Sequence, residues 1–231
     1  MKAGDVIYSQ SENNQWSVIK LLEIDQWEDG SETFHCLSYE LLSSEPSLNE
    51  RDLFKTSIWH SPIDGSEFRN SWQVLCSEEL QAEELIGFHH YLKHTDFPRY
   101  LAVTDQDAAE TVSKANKHYQ KALVLSDEGK IDEAIATYSA ARDLFPLFFE
   151  ATNNMAFLYM DKGEYAIALL IFDESLRVNP NGFHAFFSRG ECLMKLERYD
   201  EAQAVCLAGI QKFPEQQEDF LSLLERVKAG K

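Results

Sequence analysis

Ala134, Ala168 and Ala202 recur at an interval of 34 residues, and Pro146, Pro180 and Pro214 keep the same interval. Three more columns share it: Ala122, Ala156 and Gly190; Leu125, Tyr159 and Leu193; Tyr138, Phe172 and Cys206. A fixed period of this length points to stacked supersecondary units, each burying its apolar face against a neighbour, rather than to one compact enzyme fold.

Apolar residues at three- and four-residue spacing make each repeat two short amphipathic helices, with a small residue where the helices must approach closely. The first two turns carry Gly129 and Gly163, which tolerate the positive φ of a helix end. The third has Glu197-Arg198-Tyr199 in its place, so a strained or differently shaped turn is expected there. Each second helix ends before a proline, because the residue preceding proline is pushed out of the helical region.

These columns resemble the tetratricopeptide repeat, with its small residue in the first helix, alanine early in the second, an aromatic four residues later and a terminal proline. The resemblance covers roughly Ala115 to Glu215, in repeats at about 115–146, 149–180 and 183–214. A helix at 216–228, with Phe220, Leu223, Leu224 and Val227 on one face, would cap the stack. The resemblance implies an all-α right-handed superhelix of three helix pairs plus that cap. Cys206 stands for the usual aromatic and Gly209 for the usual alanine, which implies looser packing in the last repeat.

The first half changes period. Asp5–Tyr8, Trp16–Ile24, Thr33–Leu41 and Ser71–Leu75 are rich in β-branched and aromatic residues and partly alternate, as strands do. Ser11–Asn14, Glu28–Ser31 and Pro62–Gly65 read as turns between them. Ala82–Lys93 reads as a helix and Pro98–Asp107 as a linker. The expected product is a small antiparallel sheet or partly open barrel, its strand order left open. Its Gly-Asp-Val opening and Trp-led second strand resemble small SH3-like barrels. The fold class is α+β, with an acidic β-rich domain at 1–105 and the repeats at 106–231.

Charge separates the halves: residues 1–105 hold 19 acidic and 7 basic side chains, and the remainder 20 and 14. So negative a surface repels a phosphate backbone, and direct nucleic-acid binding is not expected. The opening residues do not read as a signal peptide and no apolar run reaches membrane-spanning length, so a cytoplasmic protein is expected, without membrane contact. Cys36, Cys76, Cys192 and Cys206 have no paired-cysteine spacing and read as reduced thiols.

Catalytic signatures are missing: there is no Gly-x-Ser-x-Gly elbow and no glycine-rich phosphate loop. His90 and His94 share a helical face beside His89 and Asp96 but lack the ligand order of hydrolytic zinc helices, so they read as surface or interdomain histidines. Whether His35 and His60 converge on them is left open. No catalytic residue, metal or cofactor is expected.

Binding is where the repeats are informative. The resemblance places the first helix of each pair along the inner face of the superhelix. That face carries Tyr119 and Leu123, then Asn153, Asn154, Phe157 and Met160, then His184, Phe187, Glu191 and Lys195. Aromatic and methionine side chains supply burial while amides satisfy a ligand backbone, a mixture suited to an extended peptide or partner helix. The alternative is that several of these side chains pack within the chain. Some relatives of this class grip a chaperone's C-terminal carboxylate with lysine, arginine and asparagine; here only Asn154 matches, while Tyr119, Leu123, His184 and Ser188 fill the other clamp positions, so that ligand is not expected. The expected function is a non-enzymatic protein-interaction scaffold. The rivals are an acidic inhibitor masking a basic partner and an enzyme with its site in residues 1–105. Replacing Ala168 by leucine should overpack a helix crossing and cost about 1–3 kcal/mol; an unchanged thermal midpoint would mean that the repeat register is wrong.

Overall fold

Five strands open the chain: β1 (Asp5–Gln10), β2 (Trp16–Gln26), β3 (Glu32–Tyr39), β4 (Thr56–Asp64) and β5 (Gln73–Ser77). The structure, a computed structural model, describes residues 1–11, 13–68 and 71–230, so Glu12 of the first expected turn lies outside the described residues. Clustering of the backbone divides the chain into Met1–Asp105 and Gln106–Lys231.

In the first unit all strand pairs are antiparallel, in the order β4-β3-β2-β1-β5. The chain meanders through four strands and returns to lay β5 beside β1. Period-two alternation sends Ile7, Ile19, Leu21, Phe34 and Cys36 to one face, where Phe68 joins them. Val6, Val18, Leu22, Leu37 and Tyr39 face the other way, under Phe88 and Leu92 of helix α1 (Ile86–Thr95). Because both faces are buried, β1 and β2 lack the polar face of a half-exposed strand; each fully buried Val, Leu, Ile or Phe contributes about 1.5–3 kcal/mol.

Two expectations are corrected here. Pro62, Ile63 and Asp64 belong to β4 rather than to a turn, with Pro62 opposite His35. A sheet accepts proline on an edge strand, where no outward donor is required, and β4 is an edge. The supposed linker contains helix α2 (Phe97–Val103): Asp96 accepts from the Arg99 backbone N–H at 3.2 Å and Pro98 stands in the first turn, two ordinary start signals.

The second unit is helical throughout: α3 (Ala108–Asp127) with α4 (Ile131–Leu144), α5 (Phe149–Asp161) with α6 (Tyr165–Val178), α7 (Phe183–Lys195) with α8 (Tyr199–Lys212), and α9 (Gln217–Gly230). Ala122, Ala134, Ala156, Ala168 and Ala202 are fully buried in one continuous core that also holds Tyr138 and Phe172. No described helix is long and apolar enough to cross a membrane.

All three intra-pair turns close alike. Lys130, Glu164 and Arg198 each donate a backbone N–H to the carbonyl five residues earlier, at 2.9 Å. The residues before them, Gly129, Gly163 and Glu197, take φ of 74°, 76° and 59°. The third turn is therefore strained but not differently shaped. Looser packing of the last repeat is corrected too: a Cβ on Gly209 would fall 2.3 Å from the Phe220 ring, so the missing methyl is where α9 seats its aromatic. Phe183, Phe186, Phe187 and Phe213 surround that ring at 5.5–6.0 Å between centroids.

A left-handed backbone costs an L-residue about 1–2 kcal/mol, offset in part by glycine's greater freedom when unfolded. Glu197→Gly should therefore raise the unfolding free energy of the helical unit by about 0.5–1 kcal/mol. Thermal denaturation followed by far-ultraviolet circular dichroism checks this, and a lowered midpoint would show that Glu197 contributes more than its backbone.

Candidate functional site

The expected binding residues occupy one stripe on each of α3, α5 and α7, because side chains three and four residues apart share a helix face. Tyr119 and Asn154 meet: the Asn154 Nδ2 donates to Tyr119 Oη at 3.2 Å and to Tyr138 Oη at 3.4 Å. Tyr119 also rests 4.9 Å from the Phe148 ring. Leu123, Phe157 and Met160 are half-buried on the core beside them. Phe157 sets its ring edge-on to Phe172 at 5.2 Å. Asn153 Oδ1 is buried without a hydrogen-bond partner among the described residues.

The α7 stripe is in a different state. Phe187 packs against Phe220 of α9 at 5.5 Å, and Glu191 pairs with Arg226 of the same helix at 3.3 Å. The capping helix thus engages two of the expected residues, whereas His184 and Lys195 stay exposed. Asn154, the one clamp match, commits its amide N–H groups to two tyrosine hydroxyls.

A second constellation lies in the first unit, and little in the sequence announces it. Buried His35 sits on the α1 face of β3; its Nε2 is 2.9 Å from Asp25 Oδ2 and its Nδ1 2.9 Å from His60 Nε2. Arg99 donates to both Asp25 oxygens at 2.9 and 2.7 Å and reaches Glu23 at 2.8 Å. A bulge between Leu21 and Glu23 makes this possible. It shifts the alternation of β2 by one residue, so that Glu23 pairs with His35 and, with Asp25, leaves the face that Leu21 occupies. Phe88 and Tyr91 of α1 cover the imidazoles, at 4.7 Å from His35 and 4.6 Å from His60 respectively.

Charge follows the geometry. The hydrogen bond from Arg99 holds the Asp25 carboxyl below its ordinary range against the opposing effect of burial. Burial, then the neighbouring His35, pushes the His60 imidazole down from 6.5 to about 4. His60 also lines a cavity of about 790 Å³ with Trp59, Ile86, Gly87, His90, Tyr91, His94 and Thr95. His90 and His94 lie 4.8 Å apart between ring centroids, yet no three or more His, Cys, Asp or Glu among the described residues are arranged to hold a metal ion.

Comparison with known proteins places the helical unit. Two tetratricopeptide repeat family models match residues 153–216 and 118–146. Among solved structures, similarity extends to the first such domain of Spaghetti (RPAP3) bound to an HSP90 peptide, at 22% identity over 51% of this chain and 92% of that one, TM-score 0.47. The TPR2B domain of yeast Sti1, in a pHsp70 complex, aligns at 14% identity over 52% of this chain and 99% of its own, TM-score 0.48. The Yersinia enterocolitica type III secretion chaperone SycD, in complex with a YopD peptide, aligns at 19% identity over 51% and 94%, TM-score 0.47. No curated protein matches the chain.

Because the folded state resists protonating His60 until about pH 4 while an unfolded imidazole accepts a proton near 6.5, the unfolded chain binds more protons between those values. Stability therefore rises with pH across that window and is lost as pH falls from 6.5 towards 4. All four tryptophans lie in residues 1–105, so urea titration followed by tryptophan fluorescence isolates this unit. The midpoint should fall between pH 6.5 and 4.5, and fall less in His60→Gln; equal losses would remove His60 from the pH dependence.

Proposed function

Because residues 118–146 and 153–216 are tetratricopeptide repeats, we propose that the chain is a protein-interaction module whose α3–α5 surface binds an extended segment of another protein. One observation carries this reading. Asn154 is pinned through its Nδ2 by Tyr119 and Tyr138, while its Oδ1 makes no hydrogen bond among the described residues. A fixed carbonyl acceptor beside half-buried Leu123, Phe157 and Met160 offers a ligand backbone N–H a partner next to apolar surface that its side chains can cover. Little rotamer freedom remains for Asn154 to lose on binding.

The α7 residues His184, Phe187, Glu191 and Lys195 extend the same surface, with Phe187 and Glu191 acting through their hold on α9. A helical ligand, whose backbone donors are already used, gains less from Asn154 than an extended one. The four free cysteines fit a reducing compartment such as the cytoplasm. An uncatalysed binding role is the reading for the repeats.

Affinity capture with the full chain, repeated with Asn154→Ala and Phe157→Ala, tests the surface. A partner held through it should lose about tenfold in affinity on losing the Asn154 acceptor, the effect of roughly 1.4 kcal/mol. It should stay bound between 0.1 and 0.5 M salt, because apolar burial is not screened. Both variants must keep wild-type helicity for the comparison to count. A partner indifferent to them, or one held by residues 1–105 and released by salt, would move the site to the acidic half.

A further inference from the structure

The cavity beside His60 is built from two elements that only a glycine lets meet. A Cβ on Gly87 would fall 2.8 Å from the Trp59 carbonyl carbon and oxygen, so helix α1 lies against the β4 backbone at that point. The crossing leaves Trp59 and Ile86 half or more exposed at the cavity, at 51% and 62%. Aromatic rings dominate the remaining wall: His60, His90, Tyr91 and His94. The lining contains no Asp, Glu, Lys or Arg, and its polar groups include imidazoles and hydroxyls.

With both imidazoles neutral, hydrogen bonding in the network behind the wall sets the polarity of His60. Asp25 receives both Arg99 donors and is ionised, so it can only accept from His35; the His35 Nε2 therefore carries its proton. With one proton on each ring, His35 Nδ1 is an acceptor and His60 Nε2 must donate to it. His60 Nδ1 is then left as a bare acceptor, and no described residue hydrogen-bonds to it. The ring itself cannot rotate freely, because Tyr91 and Phe88 pack against it at 4.6 and 5.5 Å.

We propose that this cavity is a binding site for an uncharged aromatic molecule bearing one O–H or N–H donor, which His60 Nδ1 accepts while Trp59, Tyr91 and Ile86 cover the ring. An apolar cavity with a single oriented polar group is the usual form of a small-molecule site. Desolvating buried His35 beside the partly buried Asp25 and Arg99 is costly, and with both imidazoles neutral the arrangement delivers one outcome at the cavity, a lone pair of fixed direction. Anions are disfavoured by the 19 acidic against 7 basic residues of this half. The site is independent of the repeat surface proposed above.

Phenol and toluene are the probes, equal in ring size and different in the donor. With the full chain, calorimetric titration should show saturable phenol binding and toluene weaker by about five- to tenfold, the effect of one hydrogen bond made in an apolar site. In protein carrying ¹⁵N-labelled histidine, phenol should shift the His60 Nδ1 resonance, while toluene leaves it in place. Ile86→Glu, at an exposed position where folding is not at stake, should abolish phenol binding, and Trp59→Ala should weaken it more than tenfold, both with unchanged helicity. Equal affinity for the two probes, no saturation up to the solubility of phenol, or phenol binding undisturbed by Ile86→Glu would each overturn the proposal.

Discussion

The helical half depends on how closely two helices can approach. Ala134, Ala168 and Ala202 have no exposed surface, and a side chain larger than a methyl at those crossings would push each pair apart. Once the approach is fixed, so is the space beside it, where buried Tyr138 reaches Asn154 of the next pair and Phe172 packs against Phe157. The intra-pair turns are held to one geometry by the same requirement, strongly enough that Glu197 adopts a left-handed backbone, as the two glycines do. In the last repeat the aromatic of the column is lost to Cys206, and Phe220 from the capping helix supplies the bulk through the opening that Gly209 leaves. The constraint is conserved volume, not conserved residue identity.

The first half solves a different problem. Its sheet buries both faces, so polar side chains caught between sheet and helix have to satisfy one another. Lys20, 1% exposed, reaches Glu84 at 2.7 Å and Glu78 at 3.2 Å, while Arg51 ties Glu78 to the Tyr39 hydroxyl. Asp25, Arg99, His35 and His60 form the second such chain. Removing a member of either leaves a desolvated partner, which is costlier than the pair is favourable. These networks fix the register of β2 and the seat of α1 more firmly than apolar contacts alone, because hydrogen bonds tolerate little displacement.

The sequence and the structure agree where a local rule is repeated and part where one residue changes the rule. Three copies of the 34-residue pattern made the helix pairs, their turns and their terminal prolines legible from spacing alone. Strand β4 was hidden because Pro62 reads as a breaker until the strand is known to be an edge. Helix α2 was hidden because Asp96 and Pro98, read as punctuation, are also a helix start. The histidine network was least legible of all: unbroken alternation along β2 puts Asp25 on the face of Leu21, away from His35, and nothing in the residues from Leu21 to Glu23 marks the bulge that moves it.

The expected binding stripe was legible as a set of positions but not as a set of states. All ten residues sit on the first helices of their pairs, yet packing sorts them. Phe187 and Glu191 are engaged with α9, Asn154 is locked by two tyrosines, and His184 and Lys195 remain in solvent. A repeat array exposes the same stripe on every first helix, and its terminal helix covers part of the last one as a condition of being a cap. On the proposed reading, the surface left to a ligand is therefore biased towards α3 and α5. There the single residue matching the carboxylate-gripping pattern no longer has free donors, and its remaining carbonyl accepts where a carboxylate clamp must donate. The chemistry left at that position is that of a hydrogen-bond acceptor, set by two tyrosine hydroxyls that take both amide N–H groups.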